Sequence, residues 1–64
     1  MMFRFIKKVK INKTLASERI GITRVYLTNI LNGKQTCSKV VAYCITKYLD
    51  KNAEIEEYFM RDGE

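Results

Sequence analysis

Arg24, Val25, Thr28 and Asn29 are the residues of this chain whose types and spacing best suit recognition of another molecule. At helical spacing they share an outward face, while Leu27, Ile30 and Leu31 share the opposite one. An arginine can bridge guanine O6 and N7, an asparagine can bridge adenine N6 and N7, and a valine can meet a thymine methyl. The stretch that presents them, Gly21 to Lys34, carries its own punctuation. Gly21 can take the positive φ of a sharp bend. Thr23 is a good N-cap, and Gly33 after Asn32 fits a left-handed C-terminal cap. Each side chain also has a plainer alternative: a solvated arginine, a surface amide, an exposed valine.

Catalytic chemistry has no such footing. The chain has no histidine, no paired carboxylates in a plausible cleft, no phosphate loop and too little volume for a pocket. The expectation is therefore no enzyme, no catalytic residue and no cofactor. Cys37 and Cys44 lie seven apart, about 10 Å along one helix side at ~1.5 Å per residue, too far for a mutual disulfide. With no CxxC pair either, no metal site is expected. Two reduced thiols acting as small core residues fit a reducing cytoplasm.

The 64 residues form one domain, 1–64. A chain of this size buries roughly 60% of its unfolded surface and is stable by a few kcal/mol. Hydrophobic residues make up 47% and proline is absent, a composition that favours helices. Met1–Lys8 has no long apolar run and no small-residue cleavage site, so neither a signal peptide nor a membrane span is expected.

The net charge of +5 is unevenly spread. Residues 1–39 hold nine Lys or Arg (4, 7, 8, 10, 13, 19, 24, 34, 39) against Glu18 alone. Residues 40–64 hold three (47, 51, 61) against six acids (50, 54, 56, 57, 62, 64). One end suits a polyanion and the other suits keeping away from it.

The elements that would hold the Gly21–Lys34 stretch follow from periodicity. Met2–Val9 is expected to be a first helix, with Phe3, Ile6 and Val9 on one face. Asn12 is a candidate N-cap for a second helix, Lys13–Ile20, with Ala16, Ser17 and Ile20 inward. A third helix runs from Arg24 to Leu31. Ser38 caps a fourth, Lys39–Asp50, whose apolar positions 40, 41, 44, 45, 48 and 49 are expected to face the core. Thr46 falls off that row. Ala53–Met60 is a last helix, with Glu54, Glu56 and Glu57 in its first turn, and residues 61–64 are expected to fray. The prediction is an all-α, compact bundle of about five short helices containing a helix-turn-helix.

The spacing Gly21-Ile22-Thr23-Arg24…Leu27…Ile30…Asn32-Gly33-Lys34, followed by a polar loop, Ser38 and Glu56-Glu57-Tyr58-Phe59, resembles the Cro/phage-repressor (XRE-type) helix-turn-helix family. The likeness covers about residues 12–59. The family's Leu-Ala pair before the turn glycine falls on Ala16-Ser17, with the actual Leu15-Ala16 one residue early. Either the second helix is rotated or Ser17 stands in for the small residue. The resemblance implies a lambda-repressor-like fold and a recognition helix at Arg24–Leu31. Arg24, Val25 and Asn29 take the base-reading places, with Thr28 on the same face. Asn12, Lys13, Thr23, Lys34 and Thr36 match phosphate-clamping positions, with Asn32 and Lys39 beside them and Tyr26 able to donate to a phosphate or to pack on the loop.

The expected function is a sequence-specific, double-stranded-DNA-binding transcriptional regulator of the bacterial, phage or mobile-element cytoplasm, with no membrane or small-molecule partner. A homodimer, which could form only on DNA, would have to use the fourth and fifth helices, through Tyr43, Tyr58 or Phe59. The alternative is a small protein-binding module, an antirepressor or antitoxin, on the same fold.

Overall fold

Phe3 and Phe5 alternate with Met2 and Arg4, a period of two that puts both aromatics on one side of an extended chain. The computed structural model, which describes residues 1–62, uses that alternation. In order it contains β1 (Met2–Phe5), α1 (Lys13–Ile20), α2 (Arg24–Leu31), α3 (Lys39–Leu49), α4 (Ile55–Tyr58) and β2 (Phe59–Asp62). The all-α bundle of five helices is therefore incorrect. The described residues form four helices and a two-stranded antiparallel sheet, 50% helix and 15% strand.

Two of the expected helices account for the difference. No helix forms at Met2–Val9: β1 pairs with β2 in the register Met2↔Asp62, Phe3↔Arg61, Arg4↔Met60 and Phe5↔Phe59. The Ile6 amide extends the ladder to the Tyr58 carbonyl at 2.9 Å. The last helix shortens to one turn, α4, because Phe59 leaves it to join the sheet. Arg61 and Asp62, expected to fray, belong to β2; the other two residues of that expectation lie outside the described residues. Phe3, Phe5 and Phe59 are buried, and the Phe5 ring meets Phe59 edge-on at 5.1 Å and stacks on Tyr58 at 6.2 Å. Burying these rings offsets the cost of joining chain ends nearly sixty residues apart.

The other edge of β1 is also occupied. The Phe3 amide donates to the Cys37 carbonyl at 2.8 Å, and the Cys37 amide returns a bond to Phe3 at 2.9 Å. Cys37 and Cys44 are both free thiols; the first is fully buried in the core and the second only partly covered.

The expected caps form. Asn12 Oδ1, Thr23 Oγ1 and Ser38 Oγ accept from the amides of Leu15, Tyr26 and Val41 at 3.0, 3.1 and 3.3 Å. Gly21 ends α1 at φ 92°. Gly33 follows α2 at φ 75°, with its amide on the Ile30 carbonyl at 3.0 Å and the Lys34 amide on Asn29 at 2.9 Å. That pair of bonds is the Schellman closure, which needs the left-handed residue that glycine supplies without strain.

Helix α1 presents its expected face, whereas α3 departs from its own. Ala16 and Ser17 are buried while Leu15 is 41% exposed, so Ser17 fills the small inward position. Its hydroxyl is satisfied by the Thr14 carbonyl at 2.9 Å. In α3 the buried residues are Ala42, Ile45 and Thr46. Val40, expected inside, is 72% exposed, and Thr46, expected off the row, is fully buried. The apolar pattern of this helix has two overlapping stripes, and the one containing Ala42 allows the closer approach to α1. Among the described residues, no helix is long and apolar enough to cross a membrane.

Candidate nucleic-acid interface

Helices α1 and α2 each begin at a side-chain cap. Asn12 holds the start of α1 and Thr23 the start of α2, joined through the tight bend at Gly21. A shallow open groove between the two helices is lined by Ile11, Lys13, Thr14, Arg24, Val25, Thr28 and Asn29. The structure thus brings together all four expected base-reading side chains. Arg24 and Val25 are exposed, the valine at 68%, while Thr28 and Asn29 are half-buried on the groove floor.

Lys13 is the member of the expected phosphate-binding set that lines this groove, and Asn12 and Thr23 are the N-caps of the two helices that form it. Both cap side chains accept one bond through oxygen, which leaves the Asn12 amide hydrogens and the Thr23 hydroxyl hydrogen for a second partner. Tyr26 is half-buried and its ring packs against the core. Asn32 and Lys34 lie past the other end of α2, about 12 Å away at ~1.5 Å per residue. Thr36 is half-buried beside Cys37, and Lys39 is exposed in the first turn of α3. The candidate contacts therefore fall in two groups, one at each end of α2.

Among the described residues the one ion pair is Arg4–Asp62. Lys7, Lys8, Lys10, Lys13, Arg24, Lys34 and Lys39 form no ion pair among the described residues, so their field extends into solvent. No described hydrogen bond engages the side chain of Arg24 or Asn29 with the rest of the chain.

Some residues of the surface were not singled out from sequence. Ile11 and Thr14 line the groove of Arg24 and Asn29; Thr14 sits one position after Lys13 and could have been found by continuing the same helix. Lys7 and Lys8 line a second groove with Leu31, Asn32 and Gly33 at the end of α2. Reading Met2–Val9 as a helix dispersed these lysines around a cylinder and concealed their position. Comparison with protein-family models, curated proteins and solved structures finds no match to this chain.

Proposed function

We propose that this chain is a small sequence-specific DNA-binding regulator that lays α2 in the major groove. The observation that carries the proposal is the groove in which Arg24, Val25, Thr28 and Asn29 converge with Lys13. Arg24 and Asn29 present the fork and amide that read purine edges, and Val25 offers a surface for a thymine methyl. Asn12, Lys13, Thr23 and Tyr26 at one end, with Asn32, Lys34, Thr36 and Lys39 at the other, hold the backbone and set register. The likeness of Gly21–Lys34 to Cro/phage-repressor proteins supports the same assignment, and a cytoplasmic location in a bacterial host goes with it.

Selection of bound duplexes from random DNA tests this and returns operator sequence, symmetry and half-site spacing together. Arg24→Ala is expected to cost ~1–3 kcal/mol on the selected site and to relax one base position. Equal weakening on every sequence would make Arg24 a phosphate contact, and no enrichment of any duplex would overturn the proposal.

A second reading draws on α3, where Val40 and Tyr43 stand exposed. These residues suit a protein partner or a second copy of the chain. Of the aromatics first considered for a dimer, Phe59 is buried in the sheet's inner face and cannot take part. A partner that still binds the Arg24→Ala/Asn29→Ala double variant would favour this second reading.

A further inference from the structure

Between β1 and α1 the chain runs from Ile6 to Asn12 without helix or strand. We propose that this segment is a second anion-binding element, an internal arm that takes the phosphodiester backbone beside the C-terminal end of α2; the inference rests on the DNA-binding reading above.

Three observations support the arm. It is held at both ends, by the Ile6 amide on the Tyr58 carbonyl at 2.9 Å and by the Asn12 cap. Its alternate residues Val9 and Ile11 pack against the core, while Lys7, Lys8 and Lys10 remain exposed. The alternation keeps the ammonium groups of Lys8 and Lys10 outward without secondary structure, and Lys7 before them is exposed as well. The arm also follows α2. Its first part shares a groove with Leu31, Asn32 and Gly33, and Ile11 shares the groove of Arg24 and Asn29. It therefore runs antiparallel along the flank of the proposed reading helix.

The opposite side of the arm identifies where the phosphate sits. There Lys7 and Lys8 line a groove with Glu56 and Glu57 of α4. Two carboxylates repel a phosphate from that side, although neither closes an ion pair with the lysines among the described residues. The phosphate therefore lies on the α2 side, beside Asn32 and Gly33. Each filled site releases counterions, which makes the salt dependence of binding the appropriate readout.

The test uses the full chain and a mixed-sequence 20-base-pair duplex, titrated by fluorescence anisotropy over a range of KCl. K7Q/K8Q is expected to reduce the magnitude of the log K versus log salt slope by roughly 2, equally on the selected operator and on mixed sequence. K51Q/R61Q removes the same charge from the acidic half and is expected to leave the slope nearly unchanged. E56Q/E57Q is expected to tighten binding at low salt. An unaltered slope in K7Q/K8Q, or an equal fall in K51Q/R61Q, overturns the arm while leaving the reading helix standing. A wild-type chain that binds no duplex overturns both. Far-UV circular dichroism checks that each variant is folded.

Discussion

The guanidinium of Arg4 donates through Nη1 to the carbonyl of Gly33, tying the strand nearest the N-terminus to the residue that closes α2. Through Nε the same side chain donates to Asp62 Oδ2, so one arginine clasps β1, β2 and the end of the proposed reading helix. The Gly33 carbonyl lies just past the helix C-terminus, where orphan carbonyls and the negative end of the macrodipole favour a cation.

The two halves of this clasp differ in strength. Both side chains of the ion pair are more than a third exposed, 40% for Arg4 and 36% for Asp62, so screening limits the pair to ~0.2–1 kcal/mol. The charge-assisted bond to Gly33 adds about 1 kcal/mol. Arg4→Met, which keeps the stem, is expected to destabilise the fold by ~1–2 kcal/mol, or several degrees in Tm. Asp62→Asn is expected to cost less than ~1 kcal/mol, a cost that fades in 1 M salt. Equal losses in urea titrations of the two variants would mean that the Gly33 bond contributes nothing.

What sequence could disclose depended on the range of the interaction. Asn12, Thr23, Ser38, Gly21 and Gly33 act on amides within a few residues, and their roles are visible in the residues themselves. The convergence of Arg24, Val25, Thr28 and Asn29 is equally local, a matter of spacing on one short helix. The sheet is different. Phe3 and Phe59 become strand residues through a pairing that spans nearly the whole chain, and locally Phe3, Ile6 and Val9 fit a helical period as well as Phe3 and Phe5 fit a strand. The position of the lysine arm depends on that sheet and was hidden with it. In α3 the ambiguity lay between two apolar stripes, and tertiary packing on Ala42 decided it.

Thr46 follows from that choice. Its hydroxyl is fully buried and has no hydrogen-bond partner within the described residues. A buried, unpaired hydroxyl costs ~1–3 kcal/mol relative to an apolar group of the same shape. Thr46→Val keeps the β-branch and removes the polar atom. It is expected to raise stability by about 1 kcal/mol, seen as a higher urea midpoint with an unchanged m-value. A loss of that size instead would show that the hydroxyl is bonded in solution.

Cys37 makes stability depend on pH at the alkaline end. Burial pushes its thiol up from the ordinary value of 9.0 to about 11, because the thiolate cannot be solvated beside Phe3 in the core. The folded chain therefore holds this proton where the unfolded chain has lost it. Below pH ~9 both states are protonated and the contribution is fully present. From pH ~9 to ~11 only the unfolded state gains by ionising, so stability falls with a slope approaching ~1.4 kcal/mol per pH unit. The total is on the order of 2–3 kcal/mol, a large part of what so small a domain possesses. Urea titrations from pH 8 to 10.5 are expected to show this fall in the wild type. Cys37→Ala, already less stable at pH 8 because of the cavity it leaves, is expected to show a flatter curve. Parallel curves would mean that the thiolate finds water in the folded state. Alkylation provides an independent check. The partly covered Cys44 is expected to react under native conditions and the buried Cys37 only on unfolding, so modification of Cys37 at the rate of Cys44 would contradict the sealed contact between β1 and the segment before α3.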